Sequence, residues 1–452
     1  MNDNLRSAVQ KVLPSVRADL EALIRIPSVS ADPAAAEDVR RCAELTAQLF
    51  RAGAAQEVEI LDDVPGGRPV VLASCPAPPG RPTVLLYAHY DVQPAGDPAM
   101  WSSGPFEPRE SGGRLYGRGS ADDKAGIATH LAALRAHGGC PPVGVVVMVE
   151  GEEEIGSPTL GAFLDRYRER LAADVIVLAD SENIEAGVPS FTTTLRGMAN
   201  CVVEVRTLAE SVHSGTYGGA APDALTALCR LLATLHDEDG HVAVDGLVTG
   251  RPPQAGYPAE RFRAEAGVLD GVRLLGSGGI ADRVWAGPAA TVLAIDAPSV
   301  SEAANALTAS ARAKVSLRIA PGDDAIRARA ALARHLRDHA PWGAHVEVTE
   351  AETSQPYAVD TRGPAIDAAR RAYARAFGGD VVDLGGGGAI PFVAEFAAAY
   401  PKAAILITSP GGDPASRAHS TDESLYLADF ERACIAEALL LSELANGVRH
   451  AD

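Results

Sequence analysis

Two histidines and a scatter of carboxylates have the clearest capacity for chemistry in this chain. His89 and Asp91 form an H-x-D pair directly after the apolar run TVLLYA at residues 83–88. If residues 88–92 stay extended, both side chains point to the same side. A histidine that binds a metal through one ring nitrogen commonly donates its other N–H to a carboxylate, so Asp91 is better placed behind His89 than beside it. Asp122 stands in RGSADDKAG at the start of a predicted helix, and taken alone it reads as a helix cap. Glu152, Glu153 and Glu154 follow the apolar run at residues 143–149. Three adjacent carboxylates repel one another. They make better sense near cations, where hydrolysis would use one acid as a ligand and another as a general base. Asp180 ends the VIVLA run, and His419 lies in RAHSTDE beyond AAILIT. Singly, Asp180 is a turn aspartate and His419 a loop histidine. Together these places offer two imidazoles and three carboxylates, a mix that suits Zn²⁺ and also Mn²⁺ or Co²⁺. Two divalent ions ~3.5–4 Å apart need a bridging carboxylate, and five protein ligands serve two ions if one of them bridges.

The elements that would position these residues alternate. Helices are predicted over residues 4–24, with Pro14 kinking or splitting the first, and over 35–52, with Gly53 as a stop signal. Apolar runs at 70–73, 83–88, 143–149 and 175–179 read as strands, and 123–137 reads as a helix. Strands alternating with helices predict an α/β layer with a largely parallel sheet. Three of the strands end in His or carboxylate residues, and open α/β sheets bind ligands beyond the carboxyl ends of their strands. From about residue 195 the texture changes to strands at 200–206, 313–319 and 345–349 and helices at 222–236 and 324–339. That set predicts a small inserted α+β domain. The α/β texture returns near residue 357, with helices at 364–377 and 428–446, a glycine-rich loop at 385–388 and a strand at 403–408. The predicted division is 1–194 and 357–452 for the catalytic domain and 195–356 for the insert. Residues 240–288 give no clear element.

Composition narrows the partners. The 452 residues carry a formal net charge of -19, which argues against a nucleic-acid backbone or an anionic membrane surface. The six cysteines are spread without a CxxC pair, so a disulfide scaffold is not expected. The first thirty residues show no apolar signal-peptide core, and no run approaches the ~20 apolar residues of a membrane span. The expected location is the cytoplasm.

Several longer motifs carry a resemblance. HYDVQP at 89–94, WSSGPFEP at 101–108, LYGRGSADDKAG at 115–126, EGEEEIGS at 150–157, HSGTYGG at 213–219 and AHSTDE at 418–423 stand in one order along the chain. Together they resemble the M20 metallopeptidases, most of all the cytosolic dipeptidase and carnosinase-like branch. The resemblance implies a zinc-aminopeptidase-like catalytic domain with an inserted lid and dimerisation domain, acting as a homodimer through the lid. It implies that His89, Asp122 and Asp180 hold one metal, that Asp122, Glu154 and His419 hold the other, and that Asp122 bridges. Asp91 would orient His89, and Glu153 would be the general base toward a water between the two ions. A cis peptide is expected after Asp122. His213, from the lid, would reach the active site of the partner subunit and stabilise the oxyanion. Arg318 would bind the substrate carboxylate, and Asn305 would add a further polar contact.

The implied reaction is cleavage of the amide bond of dipeptides, with Zn²⁺ as the expected ion. The alternatives are deacylation of N-acyl amino acids, including succinyl-diaminopimelate-type substrates, and a non-catalytic metal-binding protein. One stretch departs from the family pattern. Where relatives often carry Arg, Glu and Ser around GGSIP, this chain has Gly385–Gly388 followed by Ala389, which leaves substrate preference open.

Overall fold

The computed structural model describes residues 2–53, 55–253, 255–388 and 391–447. They form two compact units. The first comprises Met1–Thr193, Val359–Leu384 and Pro391–Asp452, and the second Thr194–Ala358 and Gly385–Ile390.

The first unit is built on a six-stranded sheet in the order Glu57–Leu61, Val70–Cys75, Gly144–Glu150, Thr83–His89, Val175–Leu178, Ala404–Ile407. The last four run parallel to one another, and Val70–Cys75 is antiparallel to both its neighbours. The sheet is therefore mixed and largely parallel, as the alternation predicts. Along Thr83–His89, Val84, Leu86 and Ala88 join the main core. That core also takes Val9 and Leu20 from helix Asn2–Ile24, Leu131 from helix Lys124–Ala136, and Leu440 from helix Leu427–Gly447. Tyr87 points to the opposite face, where its ring stacks on Phe392 at 4.4 Å and meets Phe396 edge-on at 5.5 Å. Burial on both faces is why this strand reads as an unbroken apolar run rather than an alternation. A side chain such as the fully buried Leu86 contributes about 1.5–3 kcal/mol.

Two local expectations change. Pro14 does not split the first helix, which runs from Asn2 to Ile24 with Pro14 inside it. A mid-helix proline costs ~3 kcal/mol, and the buried Val9, Val16, Leu20 and Leu23 outweigh it at ~1.5–3 kcal/mol each. Helix Lys124–Ala136 is capped by Asp123, whose carboxylate accepts the Gly126 N–H at 3.1 Å. The capping role that Asp122 suggests on its own thus belongs to its neighbour. A small sheet not anticipated from the sequence pairs Ser424–Tyr426 with Arg114–Tyr116. It ties the chain after His419 to the chain before Asp122.

The second unit holds a four-stranded antiparallel sheet in the order Ala289–Asp296, Ser310–Ile319, Gly197–Arg206, His345–Ser354. One face, with Ala313, Val315 and Leu317 beside Cys201 and Val203, packs on Leu228 and Leu231 of helix Ala224–Ala233 and on Leu332 of helix Ala325–Asp338. The other face carries Arg312, Lys314, Ser316 and Arg318 on alternate positions. The edge strand Ala289–Asp296 is exposed from Thr291 onward, so it lacks the alternation that would mark it in the sequence. Among the described residues no helix is long and apolar enough to cross a membrane.

Candidate metal centre

His89, the glutamate cluster and Asp180 come from the carboxyl ends of parallel strands of the first unit, His419 from the chain beyond Ala404–Ile407, and Asp122 from the loop before helix Lys124–Ala136. Asp122 lies between the two histidines. Its Oδ1 is 3.1 Å from His89 Nε2 and its Oδ2 is 2.9 Å from His419 Nε2. His89 Nε2 also lies 4.0 Å from Asp180 Oδ1, and His419 Nε2 lies 3.1 Å from Glu154 Oε2. The Asp122–Asp123 peptide is cis. His419 has a left-handed backbone, φ 62, a conformation that costs a non-glycine residue ~1–3 kcal/mol and tends to occur where function holds it.

Asp91 is fully buried and serves three neighbours. His89 Nδ1 stands 3.1 Å from the Asp91 backbone oxygen and 3.4 Å from its Oδ1. The carboxylate also accepts the N–H groups of Glu153 and Glu154, at 3.3 and 3.1 Å. The same aspartate thus fixes one imidazole and the turn that presents two glutamates.

The three adjacent glutamates have three different environments. Glu152 is buried and anchors its turn, accepting the Thr159 N–H and hydroxyl and the Arg68 N–H. Glu154 is held by Gln93, which gives its backbone N–H at 3.0 Å and its side-chain amide at 2.8 Å. The Glu153 carboxyl makes no hydrogen bond among the described residues. Burial pushes it well above the usual carboxyl range; His89 opposes the shift, and Asp180, Asp122 and Glu154 add to it. Burial opposes charge on His89 as well, but its bonds to Asp122 and Asp91 hold its pKa well above the ordinary value.

Two groups of donors each converge within 4.8 Å. One is Asp122, Glu154 and His419, and the other is His89, Asp180 and Asp123. Asp123 has no counterpart in the expected ligand set. Its oxygens are already engaged by the N–H groups of His89 and Gly126, at 3.3 and 3.1 Å, and burial raises its pKa well above normal. Asp122 faces the His89 ring nitrogen and is the better donor. The arrangement places two imidazoles and several carboxylates together, and cations would relieve that crowding. Imidazole and carboxylate are fitting donors for Zn²⁺, Mn²⁺ or Co²⁺.

Sequence reasoning missed Gln93 and Glu152. Gln93 stands in the same motif as His89, and its amide supplies the donor that a buried Glu154 needs. Glu152 takes one partner, Arg68, from 84 positions away and another, Thr159, from the turn that follows it.

His213, Asn305 and Arg318 lie in the second unit. His213 pairs with Ala306 in a two-residue ladder, and the Ser214 N–H donates to the Asn305 carbonyl at 3.0 Å. The His213 ring is exposed, and its Nδ1 accepts the Gly215 N–H at 3.0 Å, which leaves Nε2 free to donate. Arg318 stands opposite Met198 on the sheet face that also carries Arg312 and Lys314. There Arg312 pairs with Asp296 and Lys314 with Glu352, while Arg318 has no carboxylate partner among the described residues. In the glycine run, a Cβ at Gly385 would stand 2.4 Å from the Trp285 Cβ and 2.9 Å from the Thr194 hydroxyl. No side chain fits there. Ala389 lies outside the described residues.

Comparison with known proteins agrees with this architecture. Residues 85–443 match the model of peptidase family M20/M25/M40. The chain belongs to this family and is an M20-type metallopeptidase. A cysteinylglycine-S-conjugate dipeptidase of Corynebacterium striatum is 40% identical over 367 residues, covering 80% of each chain. Among solved structures, the Saccharomyces cerevisiae di-peptidase Dug1p superposes with a TM-score of 0.83 at 21% identity, covering 99% of both chains. Human carnosine dipeptidase 1 superposes at 0.81 with 23% identity, covering 98% of this chain and 99% of the other. At those identities the two structures speak to the fold alone.

Proposed function

We propose that the protein hydrolyses the amide bond of dipeptides with two divalent ions, Zn²⁺ foremost. His89, Asp122 and Asp180 would hold one, and Asp122, Glu154 and His419 the other. The observation that carries this reading is the position of Asp122, with one oxygen toward each imidazole. The dipeptidase activity named for the Corynebacterium relative supports the substrate class.

When bound, the ions supply Lewis-acid charge for the scissile carbonyl and acidify a water. Asp91 fixes the ring of His89. The Glu153 carboxyl makes no hydrogen bond among the described residues, and it takes the proton from the attacking water and returns it to the leaving amine. His213 Nε2 donates to the developing oxyanion, and Asn305 adds a polar contact beside it. Arg318, a cation with no carboxylate partner among the described residues, binds the substrate's terminal carboxylate. The protein works as a homodimer through its second unit, with His213 serving the partner subunit's site. Its expected compartment is the cytoplasm, in keeping with its free cysteines.

The test is a panel of dipeptides, their C-terminal amides and N-acyl amino acids, assayed with added Zn²⁺ or Mn²⁺. Dipeptides are expected to exceed acyl amino acids in kcat/KM by about tenfold or more. Arg318→Ala should raise KM for free-carboxylate dipeptides by ~10–100-fold, the worth of a charge-assisted bond, and leave the amides nearly unchanged. Preference for acyl amino acids would make the protein a deacylase instead. Full metal occupancy with no amide cleaved would sink the enzymatic reading.

The dimer has its own check. His213→Ala and Glu153→Gln should each be inactive alone, and activity should return when the two are mixed under subunit exchange. Proven exchange without recovery would place His213 in its own subunit's site or outside the reaction.

A further inference from the structure

Glu423 closes the motif that contains His419, and its side chain is fully buried. Each of its oxygens accepts two donors. Oε1 takes the N–H groups of Ala121 and Asp122, at 2.9 and 3.2 Å. Oε2 takes the Gly119 N–H at 3.0 Å and Arg118 Nη1 at 2.7 Å. Three of the four donors thus belong to the backbone of the loop that ends in Asp122. The fourth, Arg118, is 2% exposed and lies 5.4 Å from the centroid of the Trp101 ring. Its Nη2 donates to the carbonyl of Ser420 at 3.1 Å and to that of Pro94 at 3.4 Å. Ser420 follows His419 directly, and Pro94 follows Gln93, which holds Glu154.

We propose that Glu423 and Arg118 are positioning residues that set the bridging Asp122 against His419. The inference rests on the ligand reading above. An ordinary buried ion pair would satisfy its two charges and stop there. This pair spends its remaining hydrogen bonds on the backbone of the segments that carry Asp122, His419 and Gln93, the last two of which lie 326 positions apart in the sequence. A carboxylate with four donors on two oxygens has no freedom to swivel, and a guanidinium fork fixes direction as well as distance. The Asp122 carboxylate must address two imidazoles at once, so a small rotation of its backbone would disturb both groups of donors.

Glutamine at position 423 separates this role from bulk packing. It keeps the shape but has one acceptor oxygen, so its amide nitrogen must face either Ala121 and Asp122 or Gly119 and Arg118. Arg118→Lys is the second variant. It keeps a cation for Glu423 but cannot also reach the Ser420 and Pro94 carbonyls.

The experiment titrates the full-length, metal-free protein with Co²⁺ and records affinity and the visible absorption spectrum, alongside kcat and KM. Glu423→Gln is expected to weaken Co²⁺ binding by ~10–100-fold, the usual effect of losing a group that orients a ligand. Its cobalt bands should change in position or intensity, and kcat should fall more than KM changes. Arg118→Lys should show the same changes at smaller size. Folded Glu423→Gln with wild-type cobalt affinity and spectrum would overturn the proposal, whatever its melting temperature. If that variant does not fold, an unchanged Arg118→Lys overturns it equally. Asp122→Asn and His419→Ala run in parallel. If they lose Co²⁺ while the positioning variants keep it, only the clamp has failed. If they too bind as wild type, the ligand reading has failed and the clamp falls with it.

Discussion

Glu153→Gln should lower kcat by about 10²–10⁴-fold, the usual contribution of a positioned base, while metal content stays at the wild-type level. The expectation follows from how differently the three neighbouring glutamates are employed. Glu152 holds a turn and Glu154 is locked by Gln93, whereas the Glu153 carboxyl makes no hydrogen bond among the described residues. Nothing structural is lost when it becomes an amide. The amide removes the cost of burying a carboxylate and the repulsion from Asp180, Asp122 and Glu154, against loss of the attraction to His89, so the metal-free variant should melt no lower than wild type. Steady-state kinetics with a preferred dipeptide, metal analysis and thermal unfolding check the three parts together. Near-normal turnover would remove Glu153 from the reaction. Lost metal would make it a ligand instead of a base.

Asp122→Asn should empty both sites together. The substitution keeps the shape of the side chain but removes the charge that offsets two neighbouring cations. An amide also presents a good donor atom to only one side. Affinity for either ion should fall by more than the ~10–100-fold that follows loss of an outer partner, and activity should fall with it. Asp180→Asn should by contrast weaken one ion and spare the other. Equilibrium dialysis followed by metal analysis distinguishes the two patterns. Two tightly held ions in Asp122→Asn would break the bridging arrangement, and with it the proposed mechanism.

The parts of the protein that were legible in its sequence share a physical cause. The strand Thr83–His89 showed because both its faces are buried, which leaves a continuous apolar run. His89, Asp180 and the glutamate cluster showed because each follows such a run at the carboxyl edge of the sheet. What stayed hidden depends on partners remote in the chain. Two adjacent aspartates look alike in sequence, and only the turn decides that Asp123 caps the helix while Asp122 faces the histidines. Glu152 and Glu154 differ through Thr159 and Arg68 on one side and Gln93 on the other, and neither partner is marked by the glutamates themselves. The left-handed backbone of His419 carries no residue signature, since glycine does not stand there. In the second unit, the edge strand Ala289–Asp296 escaped notice because exposure on both faces erases the alternation that reveals a strand.

The close approach of Trp285 to Gly385 limits the mutational paths open to this chain. An arginine introduced at 385 alone would set its first side-chain carbon 2.4 Å from the Trp285 Cβ and 2.5 Å from the Cγ of its indole. Any side chain at 385 would require a smaller residue at position 285, and that change would leave a void beside Tyr257, whose ring stacks on the tryptophan at 5.4 Å. Gly385 is therefore held by its neighbour for as long as the tryptophan stays, whereas a Cβ at Gly388 would meet nothing within 4 Å.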